Sequence, residues 1–242
     1  MKLVLFDIDG TLIYHVALTN PQYVGRGPRF DRVVKRMFHV PAKFNFERHN
    51  GTVDRYIIWD MVRSFGITRE EFEKRFTKDY PRFMQEECEK DAKVMRLYEP
   101  ITSAVRFLQL ISKDKTFRLG IITGNAERIA WWKLDYIGIR RYFRFGLFGD
   151  EADSRIELAQ RVYTKANAYF HTEFMPEDLV IIGDTIHDVR CGKAVGATTI
   201  AVTTGYHNDR SAFENEHPDF LVDSLTDKRI LTYFGISEHE PA

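Results

Sequence analysis

Lys2-Leu3-Val4-Leu5-Phe6-Asp7-Ile8-Asp9-Gly10-Thr11-Leu12 is an apolar run that stops at two carboxylates placed two residues apart. Side chains two apart in an extended chain point to the same side. If Lys2 to Phe6 brings the chain to the edge of a sheet, Asp7 and Asp9 face one reaction centre, one able to act as nucleophile and the other as proton carrier. Asp and Gly also simply end strands and make turns, so this stretch needs support from elsewhere in the chain. Two further runs supply it. Leu179-Val180-Ile181-Ile182 leads into Gly183-Asp184-Thr185-Ile186-His187-Asp188, with carboxylates four apart, and Leu119-Gly120-Ile121-Ile122 leads into Thr123-Gly124-Asn125. In an open parallel sheet with helices on both faces, ligands bind outside the carboxyl ends of the strands. The three endings are therefore expected to converge on one crevice.

Short β-rich segments at 142–148, 198–203 and 220–222 alternate with helical patterns near 157–169 and 189–195. That alternation predicts a three-layer α/β core with a mostly parallel sheet. From about Tyr14 to Met95 the pattern changes: apolar residues recur at spacings of three and four over 30–38, 54–65 and 69–89, with Pro41 and Gly66 as breakers. This reads as a small helical domain inserted into the sheet domain. The expected division is a core of 1–13 and 96–242 and an insertion of 14–95, with the tail after Ser237 frayed.

The 242 residues carry 35 acidic and 35 basic side chains. Nothing in that balance calls for nucleic acid or a membrane surface. Asp7 and Asp9 interrupt the place where a secretory signal needs an apolar stretch, and no segment reads as a membrane span, so a cytoplasmic location is expected. Cys88 and Cys191 are too few for a disulfide framework and lack metal-site spacing; they read as packing thiols. Trp131 and Trp132, with Ile129, Leu134 and Tyr136, read as packing for the helix after Asn125.

In order along the chain, Asp7-Ile8-Asp9-Gly10-Thr11, Thr123-Gly124 and Gly183-Asp184-Thr185 through Asp188 resemble the first, second and fourth motifs of the haloacid dehalogenase superfamily, and within it the phosphoglycolate phosphatase group. The third motif usually carries a Lys; here Arg155 stands in the corresponding place, in Asp153-Ser154-Arg155-Ile156-Glu157, where Ser154 and Glu157 have capping-box spacing. A guanidinium holds carboxylate and phosphate oxygens through its planar fork and is always charged, so Arg155 covers the duty of the Lys. Lys165 is the alternative, and is expected to face solvent. The resemblance implies a Rossmann-like α/β core with an inserted helical cap that closes over small substrates.

It also implies phosphoryl transfer. Asp7 would attack phosphorus and form an aspartyl phosphate, and Asp9 would protonate the leaving alkoxide and then deprotonate the hydrolytic water. Mg²⁺ suits an all-oxygen donor set: the side chains of Asp7 and Asp184, the backbone carbonyl of Asp9, and Asp188 orienting the cluster from its edge. Thr123 and the amides of Gly124 and Asn125 would hold phosphate oxygens at a helix N-terminus. The dehalogenase branch typically lacks the Asp9 equivalent, so dehalogenation is not expected. In the insertion, Arg48 and His49 are candidate substrate contacts, Thr52 reads as a cap for the helix beginning near Asp54, and Arg26-Gly27-Pro28-Arg29 reads as a solvated turn able to meet an anion. His15 is expected at the cap hinge, and His187 either beside the motif carboxylates or in solvent.

The expected substrate is a small phosphorylated metabolite. The alternatives are a phosphomutase, a phosphonatase that would need a cap lysine such as Lys43, and a non-catalytic phospho-ligand binder, for which Asp9 would be superfluous.

Overall fold

A computed structural model describes residues 1–19, 28–205 and 209–236. Strand β1 (Lys2–Phe6) pairs in parallel with β4 (Phe117–Ile122) on one side and β6 (Leu179–Gly183) on the other; β5 (Phe145–Leu147), β7 (Thr198–Val202) and β8 (Phe220–Val222) complete a six-stranded parallel sheet in the order β5-β4-β1-β6-β7-β8. A parallel sheet must be covered on both faces, and β1 shows how its run of apolar residues meets that demand. Val4 and Phe6 pack into one buried cluster while Leu3 and Leu5 pack into a second on the opposite face, all four fully buried. β6 divides in the same way, Val180 and Ile182 to one face and Leu179 and Ile181 to the other. Each such side chain contributes roughly 1.5–3 kcal/mol on burial. The strands that end in the motif residues are thus anchored in the core on both faces.

The two short strands β2 (Ile13–Tyr14) and β3 (Glu99–Pro100) pair antiparallel. Between them lie α1 (Arg29–Phe38), α2 (Phe46–His49), α3 (Asp54–Val62) and α4 (Arg69–Ala92). The chain therefore leaves and re-enters the sheet region side by side. Phe72, Phe76, Tyr80 and Met84 recur every four residues along α4 and are buried, the stripe expected of a helix with one packed face. Thr68 caps α4 through its side chain, which accepts from the Glu71 N–H at 3.2 Å. Of the turn expected to be solvated, Arg26 and Gly27 lie outside the described residues, as does the tail after Ser237, while Arg29 opens α1 and is buried.

After β3 come α5 (Thr102–Ile111), α6 (Glu127–Tyr136), α7 (Arg155–Gln160), α8 (Val162–Phe170), α9 (Ile186–Ala194), α10 (Arg210–Glu216) and α11 (Lys228–Tyr233). The single helix expected over 157–169 is two, broken at Arg161. The strand expected over 142–148 shrinks to three residues because Arg140–Tyr142 form a 3-10 turn. Helices α10 and α11 have no clear counterpart in the sequence pattern; both are short and carry weak apolar periodicity. Cys88 and Cys191 are buried free thiols. Among the described residues no helix is long and apolar enough to cross a membrane.

Candidate active site

The three adjacent strands β4, β1 and β6 end in Thr123, Asp7 and Asp184. The backbone carries the register one residue past the strands: the Asp7 N–H donates to the Ile182 carbonyl at 2.9 Å and the Thr123 N–H to the Leu147 carbonyl at 3.1 Å. Gly10 then turns with φ +85°, and a Cβ there would fall 2.1 Å from Asp184 Oδ2. Gly is required at this position both for its backbone angle and for the space it leaves. Thr11 Oγ1, next in sequence, donates to Asp184 Oδ1 at 3.0 Å. The Asp-x-Asp-Gly-Thr sequence is in this way one device that presents Asp7 and seats Asp184 against it.

Asp7, Asp184 and Asp188 are buried and bring carboxylate oxygens within 4.8 Å of one another. Burial, Asp188 and Asp9 push Asp7 up to about 7 against the pull of Arg155. Burial and the charges of Asp7 and Asp188 raise Asp184 well above the usual carboxylate range. Three buried carboxylates with this much mutual repulsion lack positive charge, and an all-oxygen donor set suits a hard divalent cation. The residues fit a metal ion. Arg155 supplies part of the missing charge: Nη1 donates to Asp7 Oδ1 at 3.1 Å and Nη2 pairs with Asp188 Oδ1. Burial opposes the guanidinium charge, but Asp188 and Asp7 hold it firmly in place. The buried Arg155 Nε finds no acceptor among the described residues.

Asp188 is engaged on both oxygens. Oδ2 accepts from the Thr185 N–H at 3.0 Å and from Thr185 Oγ1 at 2.6 Å, a capping box that starts α9. The capping pair expected at Ser154 is half present: Ser154 Oγ accepts from the Glu157 N–H at 3.1 Å, while Glu157 Oε2 accepts from the Asp153 N–H instead. The cap places Arg155 at the first turn of α7. Lys165 is tied to both carboxylate oxygens of Glu151 at 2.6 Å.

The Asp9 side chain belongs to a different group from the Asp7 cluster. Lys133 Nζ donates to Asp9 Oδ1 at 2.7 Å, to Asp9 Oδ2 at 2.6 Å and to Asn125 Oδ1 at 2.7 Å. Asn125 Nδ2 donates to Asp9 Oδ2 at 2.7 Å and to Thr123 Oγ1 at 2.9 Å. Burial alone would raise the Asp9 carboxyl, but the charge and hydrogen bonds of Lys133, with Asn125, hold it below the usual range. Asn125 thus acts here through its side chain; its N–H is turned to Thr123 Oγ1 at 3.3 Å. Lys133 is absent from the motifs that the sequence displays. A signal for it exists, since Ile129, Ala130, Lys133 and Leu134 share the buried face of α6 and a lysine in an apolar stripe asks for a partner.

These groups line a cavity of about 560 Å³ that also meets His15, Arg29, His49, Asp54, Tyr80 and Tyr98. Arg29 donates to the Tyr98 hydroxyl at 2.7 Å and approaches His15 Nε2 at 2.8 Å, so His15 does sit beside the β2–β3 junction. Arg48 is half exposed, pairs with Asp60 at 2.6 Å and is not among the residues that line the cavity. His49 does line it, with its ring held by Asp60 Oδ2 at 3.0 Å. Thr52 does not cap α3; its hydroxyl donates to the His49 carbonyl at 2.7 Å. Lys43 is exposed and paired with Asp31. His187 lies against Gly51, where a Cβ would fall 2.6 Å from the imidazole.

The 52–54 segment instead meets the loop after β4. The Asp54 N–H donates to the Gly124 carbonyl at 2.7 Å, and buried Asp54 Oδ2 accepts from the Ala126 N–H at 2.8 Å. A Cβ on Gly124 would fall 2.1 Å from the Thr52 carbonyl oxygen. The sequence marks Asp54 only as a helix start, because nothing in it says which loop that helix end will touch.

Three parallel strand ends leading into Asp, Thr and Asp, with a buried arginine bonded to Asp7 and Asp188, thus meet at the carboxyl edge of a Rossmann-like sheet. Residues 1–196 match the haloacid dehalogenase-like hydrolase family, and the chain belongs to it. It is 28% identical over 234 residues to "Phosphoglycolate phosphatase 1" of Pseudomonas aeruginosa, covering 93% of this chain and 78% of the relative. It is 23% identical over 227 residues to "Pyrophosphatase PpaX" of Bacillus pumilus, covering 93% of each. A hydrolase from Pseudomonas syringae has the same fold, with a TM-score of 0.64 at 16% identity over 98% of this chain and all of the other.

Proposed function

We propose that this protein is a Mg²⁺-dependent phosphatase that hydrolyses a small phosphorylated metabolite through an aspartyl phosphate on Asp7. The observation that carries the reading is the division of labour between two carboxylates two residues apart: Asp7 lies in the buried cluster with Asp184, Asp188 and Arg155, while Asp9 is held toward the cavity by Lys133 and Asn125. Phosphoryl transfer needs a nucleophile among positive charges and a proton carrier at the leaving oxygen. One pair of residues meets both needs.

In this reading the side chains of Asp7 and Asp184, with the Asp9 backbone carbonyl, hold a Mg²⁺ ion, which when bound neutralises charge on the phosphoryl oxygens. Asp188 keeps Arg155 and the α9 terminus in place. Thr123 and the Gly124 amide, with Arg155, receive phosphate oxygens. Asp7 attacks phosphorus as Asp9 passes a proton to the departing alkoxide; Asp9 then takes a proton from the water that cleaves the intermediate. Residues 1–13 and 96–242 form the catalytic core and 14–95 a cap, closed here by the Asp54 contacts to Gly124 and Ala126. His49, unlike Arg48, is among the cap residues that line the cavity. A phosphonatase loses its support with Lys43 exposed and paired with Asp31.

Release of inorganic phosphate from p-nitrophenyl phosphate and a panel of phosphorylated metabolites tests this, with Mg²⁺ or chelator, for the native chain and Asp7→Asn. Turnover that needs the metal and is abolished in the variant is expected. Turnover that survives Asp7→Asn, or none from any ester, overturns the reading.

A further inference from the structure

We infer that Lys133 is a positioning residue of the reaction, clamping the Asp9 carboxylate in the orientation from which it serves the leaving group. The inference rests on the phosphatase reading of the Asp7 and Asp9 pair. An ammonium has three donors, and Lys133 uses all three here: two on Asp9, at 2.7 and 2.6 Å, and one on Asn125 Oδ1 at 2.7 Å. Asn125 closes the ring by donating to Asp9 Oδ2 and to Thr123 Oγ1. The network joins the loop after β1 to the loop after β4 through α6.

The lysine is nearly buried, with 7% of its surface exposed, and its ammonium lies 5.3 Å from the Tyr98 ring centre. Packing alone gives no reason for a charge there, since Leu or Met would fill the same stripe of α6 beside Ile129 and Leu134 without desolvating an ammonium. The position of Asp9 does give one. Its side chain is one-third exposed to the cavity, and its neighbour two residues back belongs to a cluster suited to a divalent cation. A carboxylate beside such a cluster is drawn toward the cation and toward Arg155. Lys133 and Asn125 supply the opposing attraction, so that Asp9 stays turned to the cavity, on the side where the alkoxide departs. Asp9, ionised beside Lys133, first takes up a proton from solvent; in the first step the Asp7–phosphorus bond forms as the ester P–O bond breaks and that proton passes to the leaving oxygen, and in the second, water forms the new P–O bond and gives a proton to Asp9 as the Asp7–phosphorus bond breaks and the Asp7 carboxylate is freed. Lys133 takes part in neither transfer.

The role has a signature that a structural role lacks, because an alkyl phosphate needs its leaving oxygen protonated whereas p-nitrophenolate departs without help. Steady-state kcat and KM are measured for Lys133→Met and Lys133→Arg on p-nitrophenyl phosphate and on the best alkyl phosphate of the native enzyme, with thermal melts in parallel. General-acid contributions are on the order of 10²–10⁴-fold. Lys133→Met is expected to lower kcat for the alkyl ester about 10²-fold more than for the aryl ester, on the low side of that range, and Lys133→Arg to restore most of the ratio. Equal loss on both esters overturns the inference, and so does a rise in KM alone, which would make Lys133 a substrate contact. If the Met variant loses its melting transition, Lys133→Gln is read on the same ratio. A native enzyme inactive on both esters removes the phosphatase reading and this inference with it.

Discussion

Arg155 Nη1 stands 3.1 Å from Asp7 Oδ1 while its Nη2 pairs with Asp188, so one buried guanidinium joins the residue after β1 to the first turn of α9. Removing one member of a buried charge group costs about 3–5 kcal/mol, since the others stay desolvated and unpaired. Arg155→Met is expected to lose stability of that order and all phosphate release. Arg155→Lys keeps the charge but cannot span both carboxylates, and should fold with activity reduced at least about tenfold. Urea denaturation and initial rates measure both; a Met variant as stable as the native chain would show that the fork is not needed.

The coupled carboxylates make metal binding and pH interdependent. Asp7 is pushed up to about 7 and Asp184 is raised as well by burial and like charge. A cation requires both ionised, so binding releases protons, and Mg²⁺ affinity is expected to weaken as the pH falls through about 7. For the metal-free protein the sign is the reverse. Because the folded-state value of Asp7 lies above its ordinary 3.8, the stability held by its protonated form is complete below pH 3.8 and is lost as the pH rises through about 7. Melting temperatures in chelator should therefore fall from about pH 5 to about pH 8 less steeply for Asp7→Asn than for the native chain. Identical slopes would mean that Asp7 does not titrate in this window.

Asp54 offers a second, independent titration. Burial, its dominant influence, raises it to about 6 although the Ala126 N–H pulls the other way. Stability from its protonated form is full below 3.8 and lost as the pH rises through about 6. Asp54→Asn keeps an acceptor for Ala126 and removes the ionisation. The variant should match the native chain near about pH 4 and exceed it by up to about 3 kcal/mol at about pH 8, since each tenfold change in proton affinity is worth about 1.4 kcal/mol. Asp54→Ala, which orphans the Ala126 N–H, should instead be less stable by about 1–3 kcal/mol. Equilibrium unfolding at the two pH values separates these outcomes.

Gly124 tests the contact between the 52–54 segment and the loop after β4. Its Cβ position is occupied by the Thr52 carbonyl, 2.1 Å away, and its own carbonyl receives the Asp54 N–H at 2.7 Å. Gly124→Ala must push that segment off the loop. Overpacking of this kind costs about 1–3 kcal/mol, and KM should rise because the cavity opens. Faster trypsin cleavage within 54–95 in the variant is the expected companion result; unchanged KM and cleavage would show that the contact is dispensable.

The position of the sheet and of three of its motif endings is legible in the amino-acid order alone, because burial on both faces writes continuous apolar runs; the strand period does not reach Asp9, which lies past the end of β1 and turns to Lys133 and Asn125 rather than to the Asp7 cluster. The family follows from the order of those endings. Helix ends are less legible: the interruption at Arg161 and the short α10 and α11 have no local signal strong enough to mark them in the sequence. Arg48, Thr52 and Lys133 show where the sequence runs out. Arg48 and Thr52 lie near the site in the chain, yet Asp60 and the His49 carbonyl take their side chains away from substrate and from the helix end. Lys133 lies eight residues beyond Asn125 and 124 beyond Asp9, and reads as one charge among many until α6 is packed. Spacing within an element is a local property that the chain carries in itself, whereas which charge neutralises which carboxylate depends on how distant elements meet in a medium too poor in water to leave either unpaired.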